Sequence, residues 1–370
     1  MKFTIFVTQQ CNLRCTYCYI DKKPETMSLD VAHKVVEFIY KKSILTNEEV
    51  NIGFFGGEPL LRFNLVKKIT QFIKNHPLYC PDRVNITIVS NGTIFTDEIA
   101  TFINENEIGF GISCDGPPSV QDLYRVTLSG NGSSEIVEKN IKRAKKSLSR
   151  IMVNAVYTPE TLYKLAETVE YLTSIGVRHI YLNPDFSAKW RLEHVKMLPE
   201  IYEEIGSLYM KYYLEERPHF ISLIDSKIAV ILREGYGKLE RCRMGQAEFA
   251  FTTQGDIYPC ERLVGDGKND HCIGNVFDGL TQQVSLCDNA EGAEMNAECT
   301  HCGIKDYCMN WCGCSNYMSS GSYNRVGPFL CASEIASINT AYMVFEKLER
   351  QLGPTFYEHI NGAMLNKSLT

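Results

Sequence analysis

Residues 3–215 alternate between short apolar runs and amphipathic segments of helical period, and this alternation limits the folds open to the chain more than any other feature. The apolar runs predict strands over 3–7, 50–55, 85–89, 109–113, 151–157 and 179–183. The amphipathic segments predict helices over 29–42, 64–75, 97–106, 134–147, 160–175 and 194–214. Six β/α units in sequence call for a parallel sheet, open or curled into a partial barrel, because parallel neighbours need a long crossover between them. In such sheets the reactive groups collect just beyond the carboxyl ends of the strands. The unusual segments stand at those ends: Cys11–Cys18, Gly56–Pro59, Ser90–Gly92, Ser113–Pro117 and Asn183–Asp185.

Beyond this region, 216–240 reads as a bridge, and 241–335 is rich in Cys, Gly and Asn with only short apolar runs. A stretch so poor in core-forming residues should depend on metal for its folding. A helical pattern over 334–352 ends the readable chain, so the expected plan is 1–215, 216–240, 241–335 and 336–370. The net charge of −6 gives no general nucleic-acid surface, and no apolar stretch approaches the roughly 20 residues of a membrane span. The N-terminal MKFTIFVTQQC lacks the pattern of a secretory signal, so a cytoplasmic protein is expected. In that compartment fifteen cysteines point to metal or redox chemistry rather than disulfides.

Three of them, Cys11, Cys15 and Cys18, follow the first strand at positions i, i+4 and i+7. The spacing allows a buried helical stripe or a zinc site as well as an iron–sulfur cluster. Asn12, Arg14 and Thr16 interrupt any apolar stripe, and a four-iron cluster on three thiolates leaves one iron open. CxxxCxxC after a first strand resembles the signature of the radical S-adenosylmethionine (SAM) superfamily. The resemblance implies that the open iron chelates SAM and that an injected electron releases a 5′-deoxyadenosyl radical. It extends to Gly56-Gly57-Glu58-Pro59, which resembles the family's GGEP motif, where small residues permit close approach and a carboxylate suits the SAM ammonium. By the same resemblance Tyr17 lies toward the adenine, Ser90 and Asn91 form a later strand-end motif, Ser113 meets the ribose and Arg125 pairs with the SAM carboxylate. Asn183, at the end of the sixth strand, joins them as a cofactor-binding candidate. Cys114 is read as a core residue. The implied fold is a partial (β/α)6 TIM barrel with a Cys-rich C-terminal domain and a terminal helix.

The second cysteine field runs Cys242, Gly255, Cys260, then Cys299-x2-Cys302-x5-Cys308-x3-Cys312 and finally Cys331. Taken alone, the CxxC-type pairs also suit zinc ribbons. The full pattern, with GDIYPC and IGNVFDG, resembles the SPASM extension of radical SAM enzymes that modify peptides and proteins. The resemblance implies three [4Fe-4S] clusters in all. Cys299, Cys302, Cys308 and Cys331 would enclose a distal auxiliary cluster, and Cys242, Cys260 and Cys312 a nearer one. Cys272 or Cys314 could complete the nearer set, or one iron could stay open for a substrate thiolate. Cys80 and Cys287 are read as non-ligands. Glu261 follows Cys260 where sulfatase-maturing relatives carry an aspartate taken as the base; a catalytic base or a surface glutamate are both compatible with the sequence.

The reading that follows is a radical SAM oxidoreductase that installs a crosslink, thioether favoured, in a ribosomally made peptide. A sulfatase maturase making formylglycine and a non-catalytic zinc or electron-carrier protein are the alternatives. The expected partners are a Cys-containing peptide or protein and an electron donor such as flavodoxin or ferredoxin. Because the first strand begins at Phe3, a separate peptide-recognition protein is also expected for the first reading.

Overall fold

In the computed structural model, residues 1–237, 240–265, 270–281, 297–309 and 312–365 are described. Strands and helices are numbered in chain order. The strands are β1 (Lys2–Thr8), β2 (Val50–Gly56), β3 (Val84–Ser90), β4 (Gly109–Ser113), β5 (Met152–Tyr157), β6 (His179–Pro184), β7 (Phe220–Ile221), β8 (Glu248–Phe251), β9 (Asp256–Tyr258), β10 (Gly274–Asn275) and β11 (Gly279–Leu280). The helices are α1 (Leu29–Ser43), α2 (Phe63–Lys74), α3 (Asp97–Asn106), α4 (Pro118–Tyr124), α5 (Ser134–Ser147), α6 (Leu165–Ser174), α7 (Leu192–Leu214), α8 (Ser222–Leu232), α9 (Ala297–Thr300), α10 (Gly313–Ser320), α11 (Pro328–Leu352) and α12 (Pro354–Leu365). The six expected β/α pairs are all present, with ends displaced by at most a few residues.

The chain divides into two compact units. The first draws on 1–113, 124–151 and 243–286, and its strands run in the order β11-β10-β9-β8-β1-β2-β3-β4. β8, β1, β2, β3 and β4 are parallel, while β9, β10 and β11 continue antiparallel from β8. Every residue of β1 from Phe3 to Thr8 is buried, as befits a central parallel strand covered on both faces. β2 and β3 alternate buried and part-exposed residues. Ser28 caps α1 by accepting from the Val31 amide at 3.2 Å, and Thr96 caps α3 in the same way.

The second unit draws on 114–123, 152–242 and 287–370 and holds the parallel strands β5-β6-β7 with α6, α7, α8 and α11. The stretch 216–240, expected as a bridge, contains β7 and α8. Ile224, Ile228 and Val230 of α8 are buried, and Asp225 accepts from the Ile221 amide and the Tyr209 hydroxyl inside the unit. The terminal helix begins at Pro328, earlier than the pattern suggested, because proline is well placed in a first helical turn.

β8 is the addition that the periodicity did not announce. It joins β1 through Phe249 and Phe251, which stack against Phe3 with centroids 5.9 and 6.4 Å away. Phe251 is fully buried. Phe251→Ala should therefore cost about 3–5 kcal/mol of the first unit's stability. A fall in the denaturant midpoint, followed by near-ultraviolet circular dichroism, checks this.

Candidate active site

The segment 9–19 between β1 and α1 carries no regular helix, so the first three cysteines do not form a helical stripe. Its conformation is imposed by neighbours. Leu13 bridges to Thr127, the Arg14 amide donates to the Val126 carbonyl at 2.7 Å, and the Thr16 amide to the Tyr124 carbonyl at 3.1 Å. This pairing brings Arg125, 6% exposed, beside the cysteine segment, with its guanidinium 5.4 Å from the Tyr17 ring centroid. Tyr17 and Arg125, both expected at the cofactor, are therefore neighbours.

Cys11, Cys15 and Cys18 are half-buried. Cys11 Sγ accepts from the Leu13 amide at 3.4 Å and from Asn91 Nδ2 at 3.6 Å. Burial pushes its thiol above the usual range, and these two donors and Lys22 oppose that rise. Lys22 Nζ lies 2.7 Å from Cys18 Sγ. Donated N–H groups and an adjacent ammonium are what a set of cluster thiolates requires. Among the described residues no three Cys, His, Asp or Glu side chains converge as ligands of a single ion. A cubane makes a different demand, since each thiolate meets its own iron. The donor chemistry of this segment fits an iron–sulfur cluster.

The turn after β2 is held against it. Gly56 has φ +133°, and a Cβ there would stand 2.2 Å from the Thr8 carbonyl oxygen. At Gly57 a Cβ would stand 2.0 Å from the Gln10 carbonyl oxygen. The amides of Gly57 and Glu58 donate to those same two carbonyls, each at 2.8 Å. A register irregularity between Phe6 and Thr8 sets Thr8 opposite Gly56. Glycine is required at both positions by the close approach of two backbones.

Glu58 is completely buried. Its Oε1 accepts from the Leu60 amide and Ser90 Oγ, both at 3.0 Å, and its Oε2 from the Asn91 amide at 2.7 Å. Two carboxylate oxygens offer about four acceptor positions, so room remains for one further donor such as an ammonium. Burial raises its pKa to about 7, against the pull of those three hydrogen bonds. Asn91 then passes the connection on, donating to Asn12 Oδ1 at 2.9 Å as well as to Cys11. Asn140 of α5 donates to the Gly92 carbonyl at 2.8 Å and supports this loop from behind. Ser113 ends β4 in the first unit, and Asn183 lies in β6 of the second. Cys114 is 2% exposed, a core position as expected.

The cysteines of the second field are divided by unit. Cys260 and Cys272 belong to the first unit, and Cys242, Cys299, Cys302, Cys308, Cys312 and Cys331 to the second. Cys260 is buried, and Cys272 Sγ lies 3.3 Å from the Gly274 carbonyl oxygen. In the second unit, Cys299 and Cys302 share a turn closed by a 3.2 Å backbone bond, and Cys331 sits in the first turn of α11. Cys299, Cys302, Cys308 and Cys331 are all half-buried, which suits thiolates that reach a cluster from a loop and a helix end. Cys312 Sγ lies 3.4 Å from Cys314 Sγ. Cys80 lies between α2 and β3, and Cys287 lies outside the described residues.

Glu261 is not a surface glutamate. Its carboxylate receives Lys2 Nζ at Oε1 and Thr4 Oγ1 at Oε2, both at 3.0 Å, and its side chain is 20% exposed. Burial opposes ionisation, but Lys2, Arg262 and these two hydrogen bonds hold its pKa below the usual range. Tyr19, directly after Cys18, is a half-buried residue that the motifs did not single out. Its hydroxyl is held well above its normal pKa, first by burial and then by the charges of Glu261, Cys260 and Cys18. Its place directly after Cys18 was the only signal in the sequence.

A proton-linked consequence follows at Glu58. Its folded-state pKa lies above the unfolded value, so its contribution to stability is present at low pH and is lost as pH rises from about 4.5 to 7. In SAM-free protein the denaturant midpoint should fall over that interval, and Glu58→Gln should remove part of the fall. Asp225, raised to about 7 by its own burial, contributes a fall of the same sign. Urea titrations at several pH values check both statements.

Residues 5–184 match the Radical SAM superfamily. An uncharacterized protein of Methanocaldococcus jannaschii is 30% identical over 274 residues, which cover 74% of this chain and 87% of that protein. A cysteine-type anaerobic sulfatase-maturating enzyme of Clostridium novyi is 25% identical over 327 residues, covering 82% and 85%. Among solved structures, native anSMEcpe with bound AdoMet and Cp18Cys peptide has a TM-score of 0.78 at 19% identity, covering 95% of this chain and 99% of that one. That likeness establishes the α/β, barrel-type fold expected from the six β/α units. With its cysteine segment, its GGEP turn and this sequence match, the chain is an enzyme and belongs to the radical SAM superfamily.

Proposed function

We propose that this enzyme is a maturase that removes two electrons and two protons from a cysteine-containing polypeptide. The observation that carries the reading is Glu261: an ionised, enclosed carboxylate directly after Cys260, oriented by Lys2 and Thr4. The sequence match to a cysteine-type sulfatase-maturating enzyme along most of the chain supports the same class of substrate.

Cys11, Cys15 and Cys18 would hold a [4Fe-4S] cluster, and the Gly56–Glu58 turn, Ser90, Asn91, Ser113, Tyr17, Arg125 and Asn183 would hold SAM. When bound, this pair supplies the 5′-deoxyadenosyl radical that takes a hydrogen atom from a substrate carbon. The residues of the chain have three tasks around it. Glu58 and Asn91 orient the ligand and the Cys11 thiolate through one hydrogen-bonded loop. Arg125 neutralises a ligand carboxylate beside the Tyr17 ring. Glu261 takes the proton from the substrate thiol. The second cysteine field would hold the auxiliary centres, which would supply a path for the second electron toward an external carrier such as flavodoxin or ferredoxin.

Two products share this balance. A thioether crosslink retains the loss of two hydrogens in the final peptide. Oxidation of the cysteine side chain gives a thioaldehyde that water converts to formylglycine with release of sulfide. The three-cysteine set Cys242, Cys260 and Cys312 favours the crosslink, because a vacant iron would accept a substrate thiolate, and a thioether remains the leading product. Cys272 as a fourth ligand would favour electron transfer alone.

Anaerobic turnover with short Cys-containing peptides encoded beside the gene, and with a synthetic sulfatase-type cysteine peptide, separates the products by mass. Loss of two hydrogens identifies the crosslink, and an aldehyde identifies formylglycine. No change in any peptide, with SAM cleavage intact, would remove the cysteine-directed reading. Glu261→Gln should slow peptide modification by roughly 10²–10⁴-fold, as expected for a general base, while uncoupled SAM cleavage continues. Cys15→Ala should abolish SAM cleavage and lower the iron content from about twelve to about eight, at four irons per cubane.

A further inference from the structure

Lys227 of α8 has a buried ammonium, with 5% of its side chain exposed. Burying a lysine is costly unless it is paired and hydrogen-bonded. Its partner is Glu334 of α11, whose Oε2 it meets at 2.6 Å. Glu334 stands one helical turn beyond Cys331, on the same face. The same Oε2 accepts the amide of Met309, the residue after Cys308, at 2.6 Å. Tyr236 completes the cluster: its hydroxyl lies 3.5 Å from Lys227 Nζ, and its amide donates at 2.9 Å to the carbonyl of Asp306. Cys308 acts electrostatically on both Lys227 and Tyr236. One buried ion pair therefore joins the loop of Cys308 to the helix of Cys331, and buries a positive charge at that junction.

We infer that Lys227, braced by Glu334, is a positioning residue of the distal auxiliary cluster: it fixes the spacing of the Cys308 and Cys331 segments and raises the cluster's reduction potential. The inference rests on the reading of Cys299, Cys302, Cys308 and Cys331 as cluster ligands. Four thiolates give such a cluster net negative charge, so a nearby cation favours an added electron, and net charge and hydrogen bonding are the protein's means of setting the potential. A role limited to packing would be served as well by a methionine of similar length, without the cost of burying charge.

The test uses the fully reconstituted enzyme, with iron analysis and a redox titration followed by electron paramagnetic resonance. Cys308→Ala should lose about four irons and so identify the distal signal by difference. Lys227→Met should keep its iron while the potential of that signal falls by at least tenfold in the reduction equilibrium, about 59 mV for one electron. Lys227→Arg should remain near the parent potential, and Glu334→Gln should shift it upward. Retained iron with an unchanged potential in Lys227→Met overturns the inference and leaves the pair a packing feature. Should Lys227→Met lose the distal iron, Glu334→Gln decides: an upward shift supports the inference and an unchanged potential overturns it. Full iron content in Cys308→Ala overturns the ligand reading itself, and the inference with it.

Discussion

The buried carboxylate of Glu58 is the interaction on which the first unit's site depends. Three strands end near it, and Glu58 itself caps the short 3-10 turn Pro59–Arg62 that follows the second of them. Glu58 draws the Leu60 amide, the Ser90 hydroxyl and the Asn91 amide onto one carboxylate. Asn91 extends that grip to Cys11 and Asn12. A completely buried carboxyl group is costly without such partners, so the loops cannot drift apart without exposing the cost. Gly56 and Gly57 make the arrangement sterically achievable, because any side chain there would enter the backbone of Thr8 or Gln10. The cysteine segment is thus placed by its neighbours rather than by its own propensity.

A second attachment is made from the far end of the chain. β8 joins β1 through an aromatic stack, and the antiparallel β9 then leads to Cys260 and Glu261. Residues separated by 259 positions become an ion pair between Lys2 and Glu261. Tyr19 shares the electrostatic environment of Cys18 and Cys260. Lys2, Thr4 and Arg262 hold Glu261 ionised and fix its orientation, which is the physical setting for the base role proposed for it. In the second unit a comparable economy operates, where Lys227 and Glu334 hold the loop and helix that carry Cys308 and Cys331.

Much of this was legible beforehand, and the reason differs by element. The strands from Phe3, Val50, Val84, Gly109 and His179 carry enough β-branched and aromatic residues to declare themselves. Their strand ends were visible as glycine, serine and asparagine clusters. By contrast β8 to β11 run two to four residues each, too short for periodicity to register, and β7 with α8 lay in a stretch without a strand-like run. Glu261 could be read as a base or as solvated surface, because nothing near it in sequence indicates that Lys2 and Thr4 reach it.

By itself the sequence determined the β/α order, the family and the residue types at each strand end, since these follow from local periodicity and from motifs a few residues long. It also determined that two cysteine fields exist. Only the tertiary structure decided which loop braces which thiol, that Glu58 is spent mainly on its own neighbours, that Glu261 is enclosed and paired, and that Lys227 is buried against Glu334. Those are consequences of burial and of contacts between residues distant in the chain. Local sequence carries no record of them until the sheet has brought the segments together.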